Sequence, residues 1–425
     1  MFTTLKNAWK IPDLRKRMLY TLMMMIIFRL GSTIPVPGMN RAALSQLFNQ
    51  AESGLFGLFN LISGGAFGNF TIFALSISPY ITASIILQLL TIAIPSLEAM
   101  AKEGEEGRKK IAQYTRYGTV VLALIQATGV SVGLFNQALI STDFVTVSVV
   151  VITLTAGTAF LMWLGEQITE KGIGNGISLI IFAGIVSRMP IGVAQTYQKF
   201  RIGEVSIFSI ITFVVLSILI IAGVVAIQQG TRKIPVQYAK RVVGRKMYGG
   251  HSTHIPLKVN QAGVIPIIFA ISLLQFPLTI TYFFRGGGFS TFVERYLSPG
   301  GNPGIWIYSI LEVLLIIFFT YFYTAITFNP VEVSENMKKH GGFIPGIRPG
   351  KPTTDYLNKV LTRITLAGAV FLAFIAVLPT LILKFTSINL LFGGTSILIA
   401  VSVALETMKQ VEAQMLMRHY QGFLK

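Results

Sequence analysis

Runs of about twenty apolar residues, recurring along the whole chain, limit what this sequence can fold into more than any other feature it has. Ten such stretches lie between charged or Pro/Gly-rich boundaries, at 18–34, 72–94, 118–135, 145–164, 177–193, 205–227, 260–284, 305–328, 364–383 and 388–405. They run from 17 to 25 residues, the range that crosses the hydrocarbon core of a bilayer as a helix. A bilayer offers the backbone no water to bond, so the spans are predicted to be α-helical, and the weak alternating pattern of a membrane barrel is absent. The expected fold is all-α, a polytopic membrane bundle of ten transmembrane helices. Composition agrees: 52% of the 425 residues are hydrophobic, 12% are charged and the mean hydropathy is +0.66. A soluble surface does not tolerate so apolar an average.

The net charge of +18 is unevenly distributed. With loops assigned alternately to two sides, 27 of the 35 lysines and arginines fall on one side, seven on the other, and Arg29 lies inside the first span. Cations collect on the cytoplasmic side of membrane proteins, so both termini are expected there. The first span runs directly into Ile34-Pro-Val-Pro-Gly38 with no small-x-small cleavage site before Gly31, so it is expected to be retained. Arg29 is read as a cation near the outer end of its span that snorkels toward the headgroups. The absence of cysteine excludes disulfides, thiol nucleophiles and thiolate metal sites.

An anchoring bundle would have clean spans, whereas helix breakers and polar residues interrupt these. Residues 55–69, LFGLFNLISGGAFGN, are apolar but too short to cross, and Gly64-Gly65 sits among them. Irregular backbone at membrane depth needs protein or a water-filled cavity around it, so this segment is an outer re-entrant turn or a mobile half-helix. In the second span Ile77, Ile81 and Ile85 recur every four residues on one face, alongside Ser76, Ser78, Thr82, Ser84 and Gln88. Comparable pairs, Ile177 with Ile181, Ile265 with Ile268 and Ile397 with Ile399, adjoin Gly172-Ile-Gly-Asn-Gly176, Asn260-Gln-Ala-Gly263 and Gly393-Gly-Thr-Ser396. Such stripes are ordinary packing or lipid faces, or they converge on a soft apolar constriction; spacing alone leaves both open.

Residues 228–258 carry Arg232, Lys233, Lys240, Arg241, Arg245, Lys246 and Lys258 without a carboxylate, which is more charge than orienting a span requires. This loop reads as a docking surface for an anionic partner, and Pro235-Val-Gln-Tyr-Ala-Lys-Arg-Val-Val243 within it predicts a strand-containing hairpin. In the loop 329–362, Arg348 sits at the tip of a Pro/Gly-shaped turn, a rigid presentation of one guanidinium. Neither HExxH nor a P-loop occurs, and the four histidines lie in loops or the tail. Glu312, the one carboxylate within a span, is expected at the interface. No enzyme activity and no cofactor or metal are expected, so a partner must supply energy.

The chain resembles the bacterial SecY family, channel subunits of the Sec protein translocase. The resemblance rests on Arg29-Leu-Gly-Ser, Ile34-Pro-Val-Pro-Gly38, Ile72-Phe-Ala-Leu, Pro79-Tyr-Ile-Thr-Ala-Ser84 and Gln113-Tyr-Thr-Arg-Tyr-Gly118. It continues through Trp163-Leu-Gly-Glu-Gln-Ile-Thr-Glu170, Gly172-Ile-Gly-Asn-Gly-Ile-Ser178, Ser252-Thr-His-Ile-Pro-Leu-Lys-Val-Asn260, Phe328-Asn-Pro330, Pro345-Gly-Ile-Arg-Pro-Gly350 and Phe392-Gly-Gly-Thr-Ser396. It implies two inverted pseudo-symmetric halves of five helices, 18–200 and 201–405, between a cytoplasmic N-terminal segment 1–17 and a cytoplasmic tail 406–425. It further implies a pore ring of Ile77, Ile81, Ile177, Ile181, Ile268 and Ile399, and a plug at about 55–69 that includes Leu61, Ile62, Ser63, Gly64, Gly65, Ala66 and Phe67. A lateral gate would open between the second/third and seventh/eighth spans, and Thr82, Gln88 and Asn260 are its candidates here. Implied partners are SecE, SecG, the SecA ATPase, the ribosome, signal sequences, unfolded secretory or membrane-protein substrates and lipids, at the bacterial plasma membrane. The basic loop and Arg348 are the candidate contacts for SecA or the ribosome. Ser76 departs from the family, which commonly has Gly there.

Overall fold

The computed structural model describes residues 2–40, 43–44, 60, 63–238, 241–243, 246–248, 252–281, 283, 287–298, 303–385 and 394–422. Two N-terminal helices, α1 (Phe2–Lys10) and α2 (Pro12–Gly31), are followed by α3 (Ser78–Ala93), α4 (Pro95–Lys102), α5 (Glu105–Thr128), α6 (Phe144–Lys171), α7 (Gly176–Arg201) and α8 (Ile207–Gln229). Strands β1 (Thr231–Tyr238), β2 (Arg241–Val243), β3 (Lys246–Tyr248) and β4 (Ser252–Lys258) lead to α9 (Ile265–Thr281), α10 (Gly288–Tyr296), α11 (Gly304–Thr327) and α12 (Pro330–Lys339). A short β5 (Gly342–Phe343) precedes α13 (Lys351–Phe385) and α14 (Gly394–Gly422).

Among the described residues, six helical segments are long and apolar enough to cross a membrane, and a seventh counts if α3 and α4 are taken together. They are not one straight span: the chain bends by 100° between them, where Ile94 is extended and Pro95 starts a new helix. The second apolar stretch is not helical from its start either, because residues 71–77 form a bridge and turns, and α3 begins at Ser78 with Pro79 in its first turn. The seventh stretch is a 17-residue helix, α9. Residues 388–393 of the tenth stretch lie outside the described residues.

One buried cluster threads through the bundle, with contributions from α2, α3, α6, α7, α8, α9, α11, α13 and α14. Outside it, Ile207, Phe208, Ile218 and Leu219 on α8 are exposed, an apolar outer surface suited to lipid. Glycine allows α6 and α7 to approach closely. Asn175 caps α7 by accepting from the Ile177 and Ser178 amides at 3.1 and 3.2 Å. At Gly176 a side chain would run into the Gly165 carbonyl of α6.

The strand prediction for the basic loop is met and extended. β1 pairs antiparallel with β4, from Thr231↔Lys258 to Gln237↔Ser252, and on its other edge with β5, through Gln237↔Phe343 and Tyr238↔Gly342. Alternation along β1 buries Ile234 and Val236 against Leu257, Met337, Ile344 and Leu357. The two long loops are therefore one folded unit.

Candidate functional site: an apolar constriction and its seal

The six isoleucines singled out in the sequence fall into one neighbourhood. Ile77, Ile81, Ile181, Ile268 and Ile399 are buried in the same cluster, and Ile177 packs against it half-buried. Ile81 from α3, Ile181 from α7, Ile268 from α9 and Ile399 from α14 line one cavity. Each is less than a tenth exposed. Four helices that are distant in sequence thus each deliver one branched apolar side chain to a common wall, which offers neither charge nor hydrogen bond to what lies between them.

The cavity also has a polar side that sequence reasoning missed. Ser76 and Ser78 face Ser272 and Gln275 of α9 across it. The Ser76 hydroxyl and the Gln275 side-chain nitrogen are buried without a hydrogen-bond partner among the described residues. Ser272, Gln275 and Ile268 recur at helical spacing, a signal obscured in an almost uniformly apolar helix. The residues named for the gate, Thr82 and Gln88 on α3 and Asn260 ahead of α9, do not line this cavity. Thr82 donates to the Ser78 carbonyl of its own helix at 3.1 Å, and Gln88 to Ser84 at 3.3 Å. Asn260 donates to the Gly263 carbonyl at 2.9 Å, before α9 begins.

Ser76 has φ of +53°, a left-handed conformation that favours glycine. Its neighbour Ile77 is fully buried and its carbonyl accepts the first bond of α3, from the Ile81 amide at 3.1 Å.

Beside these isoleucines, residues 63–77 fold as successive turns with one isolated bridge at Thr71. Gly64 and Gly65 both have positive φ, +64° and +91°, which breaks any helix there. Asn60 ties the turns together, its backbone carbonyl accepting from the Gly65 amide at 2.8 Å and its side chain from the Gly68 amide at 2.9 Å. The Ser63 hydroxyl accepts from the Phe67 amide at 3.0 Å. Ala66 is in the same buried cluster as the isoleucines, while Phe67 and Phe70 pack edge-on against Phe135. Leu61, Ile62 and residues 55–59 lie outside the described residues. Phe73 closes the segment, its ring stacked between Phe28 and Phe160 at 6.1 and 6.0 Å.

Two sequence expectations are corrected here. Arg29 does not reach outward: its guanidinium donates to the Gly64 carbonyl at 2.9 Å and to the Ser187 hydroxyl at 3.3 Å. Glu312 is not interfacial. It is 3% exposed on α11, and one carboxyl oxygen has no hydrogen-bond partner among the described residues.

On the basic unit, Arg232 and Lys233 are exposed on β1, and Arg241 and Lys246 belong to the β2–β3 hairpin; Lys240 and Arg245 lie outside the described residues. Arg348 is exposed at a turn braced on both sides, where its carbonyl accepts from Thr353 and the Gly350 carbonyl accepts from Ser334, each at 2.9 Å. Midway along α14, Lys409 donates to the Gln228 carbonyl at 2.8 Å. Desolvation and then the Lys258 cation lower the Lys409 pKa below the ordinary lysine value, with Glu412 and Glu406 acting in the opposite direction.

Branched apolar side chains from four helices around one cavity, a turn-rich segment beside them and a folded basic unit, in a bundle of apolar helices, point to a class: a membrane channel for a flexible polymer. Solved structures carry the same fold. One is of a SecY protein whose plug domain stabilizes the closed state of the translocation channel and maintains a membrane seal. It is 20% identical, with a TM-score of 0.65 over 94% of this chain and 92% of that one. Another is Sec61 in the canine ribosome-channel complex from the endoplasmic reticulum, 18% identical, with a TM-score of 0.62 over 94% of this chain and 92% of that one. The sequence profile of the SecY family matches residues 71–408. The protein translocase subunit SecY of Halalkalibacterium halodurans is 51% identical over 438 aligned positions that cover all of both chains. The chain belongs to the SecY family.

Proposed function

We propose that this chain is the pore-forming subunit of a Sec translocon, a passive channel that passes unfolded polypeptides across the bacterial plasma membrane and releases hydrophobic segments sideways into lipid. The observation that carries this reading is the convergence of Ile81, Ile181, Ile268 and Ile399, from four helices, on one cavity. A ring without hydrogen-bonding groups accepts side chains of any kind, and its branched ends close around the chain to limit ion leakage. A segment of about twenty apolar residues held there gains by moving into hydrocarbon, whereas a polar one does not.

In this reading the chain crosses the membrane ten times in two inverted halves, 18–200 and 201–405, with both termini cytoplasmic. Residues 55–69 are the plug, and the side-by-side α3 and α9 form the gate, with Ser76, Ser78, Ser272 and Gln275 on its polar lining. SecA or the ribosome drives the substrate from the basic cytoplasmic unit, while SecE and SecG brace the bundle. The ribosome-bound state of the canine Sec61 relative supports the cytoplasmic partner. The test is site-specific photo-cross-linking of an arrested secretory precursor. Adducts at both Ile81 and Ile268 are expected; adducts at neither, with equal labelling at lipid-facing Phe208, would overturn the reading.

A further inference from the structure

We infer that Arg29 is the latch that holds the plug shut, a positioning residue that acts through the main chain of Gly64; this rests on the plug reading above. The guanidinium reaches from α2 to donate to the Gly64 carbonyl at 2.9 Å and to Ser187 of α7 at 3.3 Å. Ser187 is itself fixed, donating to the Gly184 carbonyl at 2.8 Å. A methyl group placed on Gly64 would stand 2.8 Å from the Gly184 Cα, so the plug backbone lies flush on α7 at this point. One on Gly65 would stand 3.2 Å from the Arg188 guanidinium, which covers the second glycine. Two helices and the stopper therefore meet at a single planar cation.

The chemistry suits a catch that must release. A charge-assisted hydrogen bond is roughly twice as strong as a neutral one, and it is directional, so it is lost once the carbonyl moves or α2 and α7 part. Because the donor reads a backbone carbonyl, the latch needs only the glycine pair that allows the close approach. The side chains of the rest of the plug do not enter into it.

The absence of cysteine provides the experiment. Ala66→Cys puts one thiol on the plug of the full chain, assembled with its partner subunits in proteoliposomes, and a membrane-impermeant maleimide applied from the outer side reads its exposure. Arg29→Gln is expected to raise the resting labelling rate about tenfold and to raise resting ion conductance with it. Ser187→Ala, which keeps the charge and removes one acceptor, is expected to raise the rate about threefold. With an arrested precursor all variants should reach the same high rate, a ceiling that a merely misfolded protein would not share. Resting rates within twofold of the parent in both variants, while the precursor still raises labelling, would overturn the latch and leave the plug standing. Failure of the precursor to raise labelling at all would overturn the plug reading and the latch together.

Discussion

At the scale of single residues, Ser76 shows how a small departure is stored as strain. Its left-handed backbone and unpaired buried hydroxyl both disfavour the serine. Ser76→Gly is expected to raise the stability of the purified protein by about 1 kcal/mol, read as a higher midpoint in thermal unfolding; a lower midpoint would mean that the hydroxyl has a partner worth more than the strain. The ring isoleucines make a second expectation. Exchanging Ile81 or Ile268 for Ser puts a water-binding group on the cavity wall, and the resting ion conductance of planar bilayers should rise severalfold, whereas unchanged conductance would place those side chains outside the conducting path. Spacing beside helix breaks drew attention to the isoleucines but left packing and constriction equally open, and it was the family resemblance that implied the ring. Arg29 and Glu312 were not legible. A cation near a span end snorkels by default, and only the fold brings it to Gly64, 35 positions away, and to Ser187, 158 away. A carboxylate in the first turns of a span reads as interfacial until the neighbouring helices are seen to cover it.

Among the elements, most helices were readable as apolar runs, and the basic loop's strands from their alternation. The second span was not, since a run of constant hydropathy hides a change of backbone: turns to Ile77, helix to Ala93, then a 100° bend. Nor does periodicity show that β5 joins β1, because a two-residue strand carries no period. The α6–α7 crossing carries its own test. Gly176→Ala forces a methyl group against the Gly165 carbonyl, where backbone on both sides leaves little room to yield. A loss of roughly 3 kcal/mol is expected, seen as a lower unfolding midpoint and reduced accumulation in membranes, while Gly203→Ala in the open α7–α8 turn gives a smaller loss from its positive φ alone.

For the whole molecule, the proposed engine contact is the braced Arg348 tip. Arg348→Glu reverses the charge there without touching a buried group, and it should cut SecA-driven export of a secretory precursor about tenfold at unchanged protein level. Export at the parental rate would move that contact elsewhere on the basic unit. The three-stranded sheet behind the tip has a mechanical meaning. β1 continues from α8, β4 runs toward α9, and β5 lies between α12 and α13, so hydrogen bonds yoke chain segments that leave the bilayer at separate places. Under the proposed function, a motor leaning on either loop would strain a common crossbar, and its stroke would reach several helices in step instead of being dissipated in a slack tether.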